Sequence, residues 1–342
     1  MIATRKAHIL DVVELLEDLP EYGVRRGERG AVVEVFDEPE EAYMVEFVDP
    51  SGASSRIADW VRPAQIKTLE EIAKETFEQG IQLQNEGKPL EAERKFRQAI
   101  SLKPSYIGVL HNSIVRSFEG SDEWQKAITA MQLVFRINSD YEIARRNLAI
   151  AYQKYGIQKA NEGDAEGAIE IFQLALSVGP PEEIISDIKN SIAAVFTTLG
   201  IREYESGQLW DALRLMRQAN MVDPNEKTRR NLGIAYAHLA QSYLNKGDFQ
   251  NAILAFERAE HAGLSSAELL NDYGVALAML QRFDEAILVF ERGLEMGPEN
   301  KTIKANLDLA KKDATTDYNA EGINFSFNPA LLMQPQEYRL AA

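Results

Sequence analysis

Few residues in this chain could do chemistry alone. The four histidines, His8, His111, His238 and His261, are scattered and lack metal-ligand spacing. There is no cysteine, which excludes disulfides and thiolate metal sites. Carboxylates adjoin at Glu70–Glu71 and Glu182–Glu183, where the surrounding text reads as solvated helix ends. Without a pocket to raise one pKa, neither pair is an acid–base dyad. No phosphate loop (G-x-x-x-x-G-K-S/T), dinucleotide fingerprint (G-x-G-x-x-G) or nucleophile elbow (G-x-S-x-G) occurs. The chain therefore reads as non-catalytic, with no metal or cofactor. What remains is recognition chemistry. Arg146–Asn147 and Arg230–Asn231 stand in text written almost twice, "RRNLAIAYQKYG" from Arg145 and "RRNLGIAYAHLA" from Arg229, 84 residues apart. An amide both donates and accepts hydrogen bonds, and a neighbouring arginine can clamp a carboxylate bidentately.

The elements that carry these pairs come from a longer repetition. Ala92, Phe96, Ala99 and Pro104 share their spacing with Ala168, Phe172, Ala175 and Pro180. Ala212, Met216, Ala219, Pro224 and Ala286, Phe290, Gly293, Pro298 follow it too. Two looser copies start at Ala127 and Ala252. In four copies a glycine (Gly87, Gly163, Gly207, Gly247) sits five residues before the alanine; the other two have Asp122 and Gln281 there. Glycine permits a tight turn, the small alanine lets paired helices approach, and proline stops the second helix.

This pattern resembles the tetratricopeptide repeat, a 34-residue helix–turn–helix whose motif ends A-x3-F…P. The resemblance spans residues 68–313 and implies six helix pairs. "NLDLAKKD" from Asn306 would be a polar capping helix, which a solenoid end requires. Successive alanines lie 35, 41, 44, 40 and 34 residues apart. The middle excesses suit about two added helical turns, which return the same face to the core. The expectation is that they follow "NLAIAY" and "NLGIAY", and the degenerate "SIAAVF" (Ser191–Phe196), and precede the turn glycines. That gives long first helices near Glu142–Glu162, Ile184–Ser206 and Lys227–Lys246, unbroken at Gly156 and Gly200.

In such solenoids first helices line a concave surface, and the residue before the motif leucine faces the groove. The resemblance thus implies a peptide-binding groove with Asn147, Ser191, Asn231, Asp272 and Asn306, preceded at the first three by Arg146, Asn190 and Arg230. Solvated or inter-repeat polar roles are the alternative for the same residues.

Residues 1–66 read differently, as short β-rich runs ("GERGAVVEVF", "AYMVEFVD", "SSRIADWVR") behind an expected helix at Ile9–Leu16. The text "DVVELLEDLPEYGVRRGERGAVVEVF" is similar to a small bacterial SH3-like family known only as a domain of unknown function. The fold class is thus mainly α, a tetratricopeptide helical solenoid with a small N-terminal SH3-like β-barrel. Tyr22, Tyr43 and Trp60 could line a peptide groove there or pack its core. Seven basic against fourteen acidic residues give this domain a charge of −7. The whole chain of 342 residues carries −16, which argues against nucleic acid and anionic membranes. No apolar run in the sequence looks long enough to span a bilayer. Residues 314–342 leave the repeat, yet "INFSFNPALLMQ" (Ile323–Gln334) is apolar for a tail.

These features point to a cytoplasmic bacterial adaptor that captures a protein or peptide partner. The partner could be basic, given the acidity, and the chain's own tail could be a ligand. Two rivals stand beside this: a precursor whose tail is cleaved or modified by a partner enzyme, and an immunity or antitoxin-type protein masking a partner.

Overall fold

The computed structural model describes residues 6–49, 54–118, 120 and 122–314. The chain forms two compact units, residues 1–144 and 145–342, and each is described by itself. The expected tail at 314–342 lies outside the described residues beyond Ala314.

The first unit opens with five antiparallel strands: β1 (Val12–Leu15), β2 (Arg29–Phe36), β3 (Ala42–Val48), β4 (Ser55–Val61) and β5 (Ile66–Thr68), in the order β4-β3-β2-β1-β5. The helix expected over Ile9–Leu16 is not formed. Val12, Val13, Glu14 and Leu15 alternate outward and inward, and the segment pairs with both β2 and β5. A period of two with β-branched residues suits a pleated surface, and two partner strands outweigh a short local helix. Val13, Leu15, Val32, Val45, Phe47 and Val61 fill the core of this small β domain. Tyr43 belongs there as well, 1% exposed, its hydroxyl accepting from the Ala7 N–H beside a small pocket with Glu41 and Glu71. Trp60 stacks on Phe36 at 5.3 Å, and the Tyr22 hydroxyl donates to Asp59.

β5 runs without a linker into helix α1 (Leu69–Asn85). Thr68 ends the strand and caps the helix. Its hydroxyl accepts from the Glu71 N–H, while the Glu71 carboxylate accepts from the Thr68 N–H at 3.0 Å. Helices α2 (Pro89–Leu102), α3 (Tyr106–Ser117) and α4 (Trp124–Ile137) complete two helix pairs.

The second unit continues the pairing. It holds α5 (Glu142–Asn161, whose first turn crosses the unit boundary), α6 (Ala165–Ser177), α7 (Glu182–Glu205) and α8 (Leu209–Val222). These are followed by α9 (Glu226–Asn245), α10 (Phe249–His261), α11 (Ala267–Met279), α12 (Phe283–Met296) and the closing α13 (Lys301–Asp313). Six pairs and a closing helix match the sequence reading. The first helices α5, α7 and α9 have 20, 24 and 20 residues, about two turns or more beyond the 12 and 13 of α3 and α11, whereas α1, with 17, is under a turn shorter than α5. Glu70–Glu71 and Glu182–Glu183 fall in the first turns of α1 and α7.

By length and composition α7 is apolar enough to cross a membrane, with mean hydropathy 1.3 over its best window. The sequence expectation missed it because Asp187 and Lys189 interrupt the apolar run. Here its Ile184, Ile188, Ile192 and Val195 are buried in protein, and α6 and α8 pack against it.

What sets each pair is a close approach of backbone to ring. A β-carbon added at Gly156 would lie 2.6 Å from Phe172 Cε1, and one at Gly274 2.5 Å from Phe290 Cε1. Gly80 stands likewise against Phe96, and Gly200 against the Met216 methyl. Each small residue precedes its large partner by sixteen positions, as Ala240 precedes Phe256. The four rings are fully buried, each contributing roughly 1.5–3 kcal/mol. The helix cost of Gly156 and Gly200, about 1 kcal/mol each, is offset by this contact.

The turn glycines Gly87, Gly163, Gly207 and Gly247 all adopt positive φ, between 74° and 89°. At the equivalent place in the last pair Gln281 holds φ 61°, where a side chain is strained. In the second pair the left-handed residue is Gly120, not Asp122. Gly274→Val should lower stability by about 1–3 kcal/mol through overpacking against Phe290. Gln281→Gly should raise it by about 0.5–1 kcal/mol, the left-handed penalty less glycine's extra unfolded freedom. Urea unfolding midpoints should move in opposite directions; a shared direction would contradict the packing described.

Candidate functional site

The contact with the second helix gives a reference point along α5, α7, α9 and α11, and against it the polar residues sort themselves. Arg146, Asn190 and Arg230 each precede their contact residue (Gly156, Gly200, Ala240) by ten positions. All three are exposed. They lie on three successive first helices, as the fifth residue of α5, the ninth of α7 and the fifth of α9, and they are not level, because Arg146 faces Glu183 and Gln153 faces Ser191. The added turns thus precede the contact and include "NLAIAY" and "NLGIAY", rather than following them. Sequence alignment slipped by seven residues because two turns of helix restore the same face.

That slip explains the outlying members of the expected groove set. Asp272 precedes its contact residue by two positions, not nine. It is fully buried, accepting from Gln241 Nε2 and from Asn271 Nδ2 at 3.0 Å each. Asn306 is 1% exposed and donates from Nδ2 to Asn271 Oδ1 at 2.8 Å. Gln241, Asp272, Asn271 and Asn306 therefore make a buried chain joining α9, α11 and α13. Both expected groove residues are committed to holding successive repeats together, and Asn271 and Gln241, which sequence reasoning passed over, complete the chain. Buried amides repeating near one repeat length apart were the available signal.

The residues one position further along are intermediate. Asn147 and Asn231 are half-buried and buried, each engaged within the protein. Ser191 bridges inward: its hydroxyl donates to the Asp187 carbonyl and accepts from Gln153 Nε2 of α5 at 3.2 Å. Arg146 reaches the neighbouring first helix, pairing with Glu183 at 2.8 Å. Among the described residues Arg230 has no ion-pair partner. A surface ion pair of the Arg146 kind is worth little in itself, so both guanidinium groups can turn to a ligand carboxylate at small cost.

His238, also on α9, lies between α7 and α9. Its Nδ1 is 3.2 Å from the Tyr204 hydroxyl and its ring 4.6 Å from the Tyr204 ring. Nε2 is buried with no partner among the described residues. A charged imidazolium needs two acceptors and water, and burial removes both, pushing its pKa down to about 4. His111 is buried and shifted the same way for the same cause. Among the described residues no cluster of three or more His, Asp or Glu could hold a metal.

Residues 238–301 match the family model of the tetratricopeptide repeat. The described helix pairs are thus tetratricopeptide-like, with the family model itself matched over 238–301. Residues 9–60 match a second model, Domain of unknown function (DUF4926), so the β domain also bears the resemblance read from its sequence. Among solved structures the chain is similar to the TPR2AB-domain:pHSP90-complex of yeast Sti1, at 14% identity over 72% of this chain and 99% of that one, TM-score 0.30. It is similar to the Arabidopsis OM64 TPR domain at 22% identity, over 36% of this chain and 98% of that one, TM-score 0.28. The first TPR of Spaghetti (RPAP3) bound to HSP90 peptide SRMEEVD is 22% identical over 37% of this chain and 98% of that one, TM-score 0.28.

The buried imidazole makes stability pH-dependent. The unfolded chain takes a proton at His238 near pH 6.5, the folded chain only near 4. The unfolded state therefore binds more protons between these values, and stability falls as pH drops through the window. The loss is on the order of 3 kcal/mol. Urea unfolding of the wild type and His238→Gln between pH 7 and 4.5 should converge as pH falls; parallel curves would show that His238 titrates normally.

Proposed function

We propose that this protein is a non-catalytic adaptor whose tetratricopeptide repeats capture a peptide or protein segment along the first helices of the second unit. The observation that carries the reading is that Arg146, Asn190 and Arg230 are exposed on three successive first helices. Two guanidinium groups flanking an amide suit an extended segment that presents a carboxylate and backbone polar groups. The remaining expected members, Asn147, Ser191 and Asn231, support them from one position further along. Tetratricopeptide repeats are in general interaction modules, which favours binding over catalysis. The acidic N-terminal module, read as SH3-like, adds a negative face suited to a basic region of the partner. We read the adaptor as cytoplasmic.

The test is selection of displayed peptides on the full chain, followed by affinity measurement for the selected sequences. Arg146→Glu with Arg230→Glu should weaken binding by about tenfold or more, equivalent to at least 1.4 kcal/mol. Blocking the peptide's carboxylates should have a similar effect on the wild type and little on the double variant. Selected peptides that ignore the charge reversal would place the binding surface elsewhere.

A further inference from the structure

The second helix α8 carries a face that the repeat does not use. Its core side is ordinary: Ala212, Leu215, Met216 and Ala219 are buried. On another side Trp210, Arg214, Arg217 and Met221 follow at intervals of four, three and four, a single stripe along three turns. Trp210 is 63% exposed and Met221 76% exposed, and the two arginines between them are exposed as well. With the buried Leu213 this stripe lines an open cleft of about 250 Å³. The Trp210 ring stands edge-on to Tyr243 of α9 at 6.4 Å, which supports the indole from one side. Arg214 meets only Asp211 of its own helix, at 3.3 Å, an exposed pair that holds it weakly. Arg217 has no ion pair among the described residues.

The intervals of four, three and four are those of a helix–helix seam, in which one helix meets the same spacing on another. Charge decides what the other helix must carry. Residues 209–245, α8 and α9 with their loop, hold five basic against three acidic side chains in a chain of net charge −16. Both central seam positions are cationic. A second copy set in register on the same face about a two-fold axis would oppose arginine to arginine, whether the helices ran parallel or antiparallel. The face therefore does not suit self-association.

We propose that this cleft is the docking site of an amphipathic helix of a partner protein, with large apolar side chains at the two outer seam positions and carboxylates at the two central ones. The apolar pair covers Trp210 and Met221, anchors of the kind on which interfaces concentrate their binding energy. The carboxylates pair with Arg214 and Arg217, whose planar forks accept them bidentately. The cleft lies on a second helix, whereas the proposed capture of an extended segment uses first helices, so the two readings fail independently.

The experiment uses the full chain with Trp60→Phe and Trp124→Phe, leaving Trp210 as the sole indole, its fold checked by circular dichroism. The probe is a displayed alanine-rich helix of about 18 residues, long enough to hold its shape alone, with the four seam positions randomised. Selection should return Asp or Glu at the two central positions and large apolar residues at the outer two. The selected peptide, synthesised without tryptophan, should shift Trp210 emission to the blue and cut acrylamide quenching several-fold, both saturably. Arg214→Glu with Arg217→Glu should weaken it by about tenfold or more, and exchanging the peptide's two acids for lysines should restore binding to that variant. Arg146→Glu with Arg230→Glu should leave it unchanged. A selection that does not enrich acids at the central positions overturns the proposal, as does a peptide that leaves Trp210 emission unmoved or a charge exchange that restores nothing. Binding lost with Arg146 and Arg230 puts the peptide on the first helices and is equally fatal. So is a Trp210 already shielded before peptide is added, since the occupant is then this chain itself or, if the shielding fades on dilution, a second copy.

Discussion

Everything in the repeats depends on one contact, the backbone of a first helix lying against the large side chain of the second. At Gly80, Gly156 and Gly274 the ring of Phe96, Phe172 or Phe290 occupies the space where a β-carbon would be. The contact brings the helix axes close, buries the ring and fixes height along both helices. The exposed polar residues and the buried amide chain differ in their distance from that contact. Arg146, Asn190 and Arg230 stand ten residues before the contact. Asp272 stands two before it and falls inside the stack.

The buried chain from Gln241 through Asp272 and Asn271 to Asn306 shows what polar side chains do so near the contact. Burying a carboxylate such as Asp272 is costly without hydrogen bonds. Two amide donors at 3.0 Å satisfy its oxygens, and the amide of α13 extends the chain to the last helix. Because the Gln241–Asp272 and Asn306–Asn271 links join successive first helices, the chain specifies which helix follows which and at what offset, a registry role that apolar packing alone does not perform. Tyr204 and His238 do the same between α7 and α9, with the added consequence that acid weakens the joint.

Much of this was legible in the sequence, and the misses share a cause. The alanine, phenylalanine and glycine spacings revealed six pairs, a closing helix and three long first helices, because such signals are local. The seven-residue slip arose because two turns nearly restore the helical face, so text alone cannot say on which side of the contact the turns were added. Gly156 and Gly274 hold the answer, but their value shows only against a ring sixteen residues away. Val12–Leu15 reads locally as a helical run; its strand state depends on β2 and β5, both distant in sequence. His238 stands out only once burial is known.

The lengthened helices also stop abruptly. α9 carries fifteen residues up to Ala240, while α11 carries only eight up to Gly274. A step of seven residues lowers the wall by about 10 Å. The position equivalent to Arg230 in the next repeat is Leu264, which lies before α11 begins and packs against the core. If a segment is captured along the first helices as proposed, it would meet an apolar sill after Arg230, and the repeats would then act as a ruler of fixed length rather than an open track.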